Sequence, residues 1–242
     1  MTKRAAIVTG ASSGIGLAIA ETLGEMGYGL TVAARRPDKL EAAAQTLLDK
    51  GYEVEVVAGS LSDEETVQAV VAAHKARYGR LDVLVNNAGV GIGAAVADIQ
   101  TKKLDMMLDL NVRSIVLFYR ECVGMLREAG VEHREALVVN TASIAGKSGQ
   151  PWLSVYSATK AAVVNFTEAM HKELSGDGIR NTALCPAFVD TPMTDFAKAN
   201  GIDAEGMIRP QDIAESVRFL LSVSPACIVP EIQFIRAGDG AF

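Results

Sequence analysis

"TGASSGIG", residues Thr9 to Gly16, stands directly behind the apolar run "AAIV" near the start of the chain and places glycine at 10, 14 and 16. A strand that ends in a tight turn and opens a helix presents backbone amides at the positive end of a helix dipole, a geometry suited to phosphate. The usual dinucleotide fingerprint spaces its glycines as GxGxxG, whereas these fall as GxxxGxG. Glycines in such a place also serve as plain turn punctuation. The context favours the ligand: apolar strand before, amphipathic helix after. On this reading the phosphates of a dinucleotide meet Gly10, Ser12, Ser13, Gly14, Ile15 and Gly16.

Working outward, short β-branched runs alternate with longer amphipathic segments. "RAAIVTG", "GLTVAARR", "YEVEVVAG", "LDVLVNNAG", "EALVVNTAS", "IRNTALCP" and "EIQFI" read as strands. Helices are expected from about Ile15, from Pro37 towards Lys50, behind the cap-like "SDEE", from about Thr101 to Gly130, over "YSATKAAVVNFTEAMHKEL", and from Pro210 to Leu221. Strands separated by helical segments imply βαβ units, right-handed crossovers and a doubly wound α/β fold: a parallel sheet of about seven strands with helices on both faces. No linker, repeat or low-complexity tract divides residues 1–242, so one domain is expected. The irregular stretch Thr191 to Arg209 is too long for an ordinary connection and reads as a functional loop or lid.

Composition narrows the class. A chain of 242 residues, 49% hydrophobic, buries a sizeable core, and its net charge of −6 leaves no basic face for nucleic acid or an anionic membrane. No apolar segment has signal-peptide or membrane-span length. Cys122, Cys185 and Cys227 fit neither a disulfide framework nor a zinc site, and His74, His133 and His171 lack ligand-like spacing. A cytoplasmic protein without a metal, acting on a small molecule, is the expectation.

The second strand selects the dinucleotide. An acidic residue about 20 residues beyond the glycine turn would hold a ribose hydroxyl of NAD. Here Arg35 and Arg36 stand past the strand end. Guanidinium groups form forked, charge-assisted bonds to phosphate, so the placement favours the 2′-phosphate of NADP over NAD. Two solvated arginines opening a helix would look the same. Asp38, behind Pro37, reads as a cap of the following helix.

Four motifs in order make the chain resemble the classical short-chain dehydrogenase/reductase family over essentially its whole length. They are "TGASSGIG" at 9–16, "NNAG" at 86–89, Ser143 in "NTASIAG", and "YSATK" at 156–160. The chemistry also follows from residue types. Tyr156 and Lys160 are four apart and share a helix face, where an ammonium would favour the phenolate. Ser143 ends a strand at the carboxyl edge of the sheet, where ligands of such folds bind. The resemblance implies Tyr156 as general acid, Ser143 as polariser of the carbonyl, Lys160 as holder of the nicotinamide ribose, and Asn111 as support of a water-linked proton path. It further implies that Asn86 ties strands, that Asn87, Ala88 and Gly89 run past the adenine ribose, and that Pro186, Val189 and Thr191 meet the nicotinamide. Thr191 reads equally as an N-cap of the lid. The resemblance also implies NADPH or NADH as cofactor, and a homodimer or homotetramer paired through helices at about 102–129 and 154–174.

Three departures from the family pattern stand out. Ser60, ahead of Leu61, occupies the position of an adenine-contacting Asp; Ala187 replaces a usual glycine; and the ending "SPACIVPEIQFIRAGDGAF" lacks the TGxxxxVDGG-like form of 3-oxoacyl-carrier-protein reductases. The expected function is NADP(H)-dependent interconversion of a carbonyl and a secondary alcohol. The alternatives are a 3-oxoacyl-carrier-protein reductase or hydroxy-acid dehydrogenase of the same family and, from another class, a non-catalytic NADP-sensing regulator. Gly91 to Ala95, Trp152, Phe188 and the stretch Pro192 to Met207 are expected to line the substrate pocket, with Lys147 or Arg209 able to reach inward. Trp152 reads equally as a packing residue.

Overall fold

Seven short strands hydrogen-bond side by side in the order β3-β2-β1-β4-β5-β6-β7, every pair parallel; the inner five are buried throughout and the two edge strands are partly exposed. They are β1 (Ala5–Thr9), β2 (Gly29–Ala34), β3 (Val54–Ala58), β4 (Val83–Asn86), β5 (Ala136–Thr141), β6 (Ile179–Pro186) and β7 (Glu231–Phe234). The helices are α1 (Gly14–Glu25), α2 (Pro37–Leu48), α3 (Glu64–Tyr78), α4 (Thr101–Leu108), α5 (Ser114–His133), α6 (Ser154–Leu174) and α7 (Pro210–Ser222). The computed structural model describes residues 4–195 and 204–237. Residues 196–203 of the expected lid lie outside that description.

Strand alternation sorts the core into two layers. Ala6, Val8, Val83, Val85, Leu137, Val139 and Leu184 face α1, α2 and α7 with Ile19, Leu23, Leu40, Ile213 and Val217. Ile7, Leu84, Val138, Ala183 and Cys185 face α3, α5 and α6 with Val67, Phe118, Leu126 and Val163. The order of strands reverses between β1 and β4, and that crevice at the carboxyl edge is where doubly wound sheets hold ligands.

Local reading needed three corrections. The helix expected from Thr101 to Gly130 is interrupted by a π turn at Asp109–Arg113, where Ser114 N–H reaches back to Asp109 C=O. It then continues to His133, because Gly130 is a contact residue and no stop signal: a Cβ there would lie 2.2 Å from Asp177 C=O. The caps expected of "SDEE" and Asp38 are absent as side-chain bonds. Asp63 and Arg36 occupy the N-cap positions without capping, and Glu64, Glu65 and Asp38 instead set negative charge in the first turns.

Among the described residues no helix is long and apolar enough to cross a membrane. None of their His, Cys, Asp and Glu side chains gather in threes to hold a metal ion. His74 is a buried structural residue: Thr31 Oγ1 meets its Nδ1 and Arg80 C=O its Nε2, both at 2.8 Å.

Candidate active site

The glycine turn is built by close approach. Gly10 and Gly14 have φ of +67 and +57, the left-handed region that L side chains avoid. A Cβ on Gly10 would lie 2.9 Å from Ala88 Cα, and one on Gly16 would lie 2.5 Å from Gly10 C=O. The turn is thereby drawn onto the end of β4. N-cap Ser13 makes no side-chain cap bond and the first turn of α1 carries no acid, so its amides and dipole face outward uncompensated. Arg35 and Arg36, just past β2, are exposed, and among the described residues no hydrogen bond or ion pair of their side chains is formed. A phosphate-rich dinucleotide fits this set.

Thr9, which the sequence motif does not single out, organises the neighbouring segment. Its hydroxyl donates to Val85 C=O (3.1 Å) and accepts from Asn87 N–H (2.9 Å) and Ala88 N–H (3.1 Å). Asn87 spends its side chain on Thr9 C=O (3.1 Å) and on the Thr141 hydroxyl (3.2 Å), so that side chain serves the scaffold. Asn86 donates to Asn140 Oδ1 across the strands at 2.9 Å. The Leu61 side chain packs into the α3–α5 core layer, and Ser60 stays partly exposed at the end of β3.

Four expected residues from three separate segments, the π turn, the end of β5 and helix α6, come together beyond the ends of β4 and β5. Ser143 follows β5 and its hydroxyl lies 3.3 Å from Pro186 C=O, accepts from Ala145 N–H and shares a side-chain hydrogen bond with Tyr156. One turn along α6, Lys160 is buried, donates to Thr141 C=O at 2.7 Å, and holds its ammonium 5.8 Å from the centre of the Tyr156 ring. Asn111 lies in the π turn, fully buried. It accepts from Val90 N–H (2.8 Å) and donates to Val90 C=O (2.9 Å) and Thr159 Oγ1 (3.0 Å). The extra residue of a π turn commonly re-aims a functional side chain, and here it aims an amide that clamps the loop after "NNAG". A Cβ on Gly89 would come 3.2 Å from Asn111 Oδ1 and 3.4 Å from Lys160 Nζ, which is why only glycine brings that loop so close.

The electrostatics reverse one expectation. Burial pushes the Tyr156 phenol above its usual value, and the hydrogen bond with Ser143 offsets this only in part. Burial also lowers Lys160, to about 8, so the ammonium expected to hold the phenol down is itself destabilised.

Two loops form the rim. Gly91 faces the Tyr156 ring, with a Cβ position 3.5 Å from Cε2, and Ala94 N–H donates to Trp152 C=O at 2.8 Å. Trp152 is not packed: it is 70% exposed and its φ is +64, a conformation that costs about 1–3 kcal/mol in a bulky residue. On the opposite side Val189 is buried and bridges to Ile208, Phe188 lies under the Arg236 guanidinium at 5.2 Å, and Thr191 rests on Gly14, where a Cβ would be 2.8 Å from its methyl. Thr191 also caps the 3₁₀ turn Pro192–Thr194, its N–H reaching Thr194 Oγ1 at 3.2 Å. Lys147 and Arg209 do not reach inward. They pair with Glu231 (2.8 Å) and Asp212 (2.5 Å).

Beyond Thr9, sequence reading missed Thr141 and Thr159, the partners of Lys160 and Asn111. The signal for Thr159 was present: a β-branched hydroxyl inside a helix, next to the lysine, is costly unless its oxygen has work there.

Comparison with known proteins agrees with this geometry. The short chain dehydrogenase family model matches residues 4–201. A ketoacyl reductase assigned to the monensin polyketide synthase of Streptomyces virginiae is 35% identical over 260 aligned positions, covering 100% of this chain and 98% of that one. Among solved structures, an actinorhodin polyketide ketoreductase with NADPH superposes with a TM-score of 0.86 at 31% identity, covering 96% of this chain and 95% of that one. L-sorbose reductase from Gluconobacter frateurii, complexed with NADPH and L-sorbose, gives 0.86 at 30% identity, covering 97% and 95%. The chain is an oxidoreductase with the doubly wound dinucleotide-binding fold, and it belongs to the short-chain dehydrogenase family.

Proposed function

We propose that the protein is an NADPH-dependent reductase that converts a small-molecule carbonyl to a secondary alcohol. The observation that carries this reading is the gathering of Ser143, Tyr156 and Lys160 at the carboxyl edge of the sheet, with the Lys160 ammonium anchored on Thr141 C=O and 5.8 Å from the centre of the Tyr156 ring. Bound NADPH supplies the hydride. The amides of Gly14 to Gly16 at the start of α1 would hold its diphosphate, and Arg35 with Arg36 its 2′-phosphate. Val189 and Thr191, at the base of the loop over the turn, would orient the nicotinamide end. NADPH bound to the two solved relatives supports the choice of cofactor.

The residues divide the remaining work. Ser143 Oγ–H, fixed by Ala145 N–H, donates a hydrogen bond to the carbonyl oxygen as negative charge develops there. Tyr156 Oη–H gives that oxygen its proton, so the product leaves as an alcohol. Lys160, anchored on Thr141 C=O, stabilises the phenolate that remains, and Asn111 holds the loop at Val90 against which Tyr156 is placed. In the oxidising direction the same groups work in reverse.

The test is Tyr156→Phe. We expect NADPH oxidation across a panel of ketones, aldehydes, diketones and oxo-esters to fall by at least about 100-fold, while NADPH still binds. Retained turnover in that variant refutes the assignment of the acid. Binding of NADPH by the native protein with no turnover of any carbonyl points instead to a sensor.

A further inference from the structure

Trp152 is the single tryptophan of the chain, and it combines three properties that plain packing does not explain. Its ring is exposed, its backbone is left-handed at φ +64, and it sits four residues ahead of Tyr156. A turn that merely needed this conformation would take glycine or asparagine. The surrounding bonds over-determine it: Trp152 C=O accepts from Ala94 N–H, Leu153 N–H donates to Gln150 C=O (3.1 Å), and Gln150 N–H donates to Ser157 Oγ (3.2 Å). The residue is thus locked to the rim loop whose Gly91 faces the Tyr156 ring, and that loop runs on to Val96, 77% exposed. Stability spent on holding an uncovered indole at the site entrance is a sign of function.

We infer that Trp152 is an aromatic platform that selects carbonyl substrates bearing an aryl or extended apolar arm over small polyhydroxylated ones. The inference rests on the reading of the site as a carbonyl reductase and names its substrate class. An indole face stacks on an aryl group and covers alkyl surface, whereas the hydroxyls of a ketohexose would lose water against it and find no partner. The nearby cations do not argue for a charged substrate, since Lys147 and Arg209 are paired with Glu231 and Asp212. Because the backbone that carries the ring is already fixed, binding pays no cost for ordering that turn.

The single tryptophan provides a readout that needs no turnover. The enzyme saturated with NADP+ is titrated with acetophenone and, separately, with L-sorbose, and indole emission is corrected for collisional quenching with free tryptophanamide. We expect saturable quenching by acetophenone only. In steady state, Trp152→Gly, which suits the backbone, should lower the ratio of kcat/KM for aryl ketone over ketohexose about tenfold, with Trp152→Phe recovering most of it. An unmoved ratio in Trp152→Gly overturns the platform, as does emission that ignores an aryl ketone the enzyme turns over. An indole already blue-shifted and shielded from acrylamide in the free enzyme also overturns it, by showing that a second copy covers the ring. Absence of turnover with every carbonyl would refute the reductase reading itself, and the emission titration would then decide alone whether the ring receives an aryl group.

Discussion

Replacing Gly16 by alanine sets two effects of known size against each other. Gly16 lies in the first turn of α1 with ordinary helical backbone, so propensity alone predicts that Gly16→Ala stabilises the helix by about 1 kcal/mol. Contact predicts the opposite. The added methyl would stand 2.5 Å from Gly10 C=O and 2.5 Å from Asn87 Nδ2, about 1 Å inside ordinary contact. Neither neighbour can yield cheaply, since Gly10 is fixed in a left-handed turn and Asn87 Nδ2 is bonded to Thr9 C=O. Relief requires α1 to retreat from the turn, at roughly 1–3 kcal/mol for overpacking, plus about 1 kcal/mol if the Asn87 bond is lost. The net expectation is a loss of about 1–3 kcal/mol, a fall in Tm of roughly 3–10 °C for a chain of this size. Because the same displacement moves the helix-start amides, the Kd for NADPH should rise at least about tenfold. Thermal unfolding and fluorescence titration with NADPH read both quantities. Gly124→Ala on α5, where no described atom lies within 4 Å of the new methyl, is the control and should gain up to about 1 kcal/mol. If Gly16→Ala matches that gain and binds NADPH normally, the close-approach account of the turn is wrong.

Two further outcomes follow from the same structure. Burial lowers His74 to about 4 against a usual 6.5, so the unfolded chain takes up its proton first and stability is whole above pH 6.5 and declines as pH falls towards 4. By pH 4.5 this one group should account for about 2.5 kcal/mol of the loss, and urea unfolding of a His74→Gln variant should show a correspondingly flatter pH dependence; an equal slope would exonerate His74. The double replacement Arg35→Ala with Arg36→Ala should raise KM for NADPH roughly 10- to 100-fold and change NADH kinetics little, whereas equal effects on the two cofactors would remove these arginines from 2′-phosphate recognition.

The strands and their parallel arrangement were legible because parallel strands in a two-sided sheet are short apolar runs and the helices between them keep a 3.6-residue period. The motif residues were legible because their spacing is local: Tyr156 and Lys160 share a helix face whatever surrounds them. The π turn was not legible, since Asp109–Arg113 has nothing in its composition to separate it from the helices on either side, and Gly130 looked like a stop until its contact with Asp177 was visible. The inward role expected of Lys147 and Arg209 failed for a similar reason, as their acid partners lie on β7 and in the first turn of α7.

By itself the amino-acid sequence determined the doubly wound parallel architecture and the glycine turn at its first crossover, because each depends on periodicity or spacing along short segments, while the four clustered polar residues were named by the resemblance to the family. Only the tertiary structure decided that the Tyr156 phenol is raised and Lys160 lowered, that Asn111 clamps Val90, and that Trp152 stands exposed in a left-handed backbone. Those properties come from burial and from hydrogen bonds between distant segments, and neither exists until the sheet has brought the ends of β4, β5 and β6 side by side.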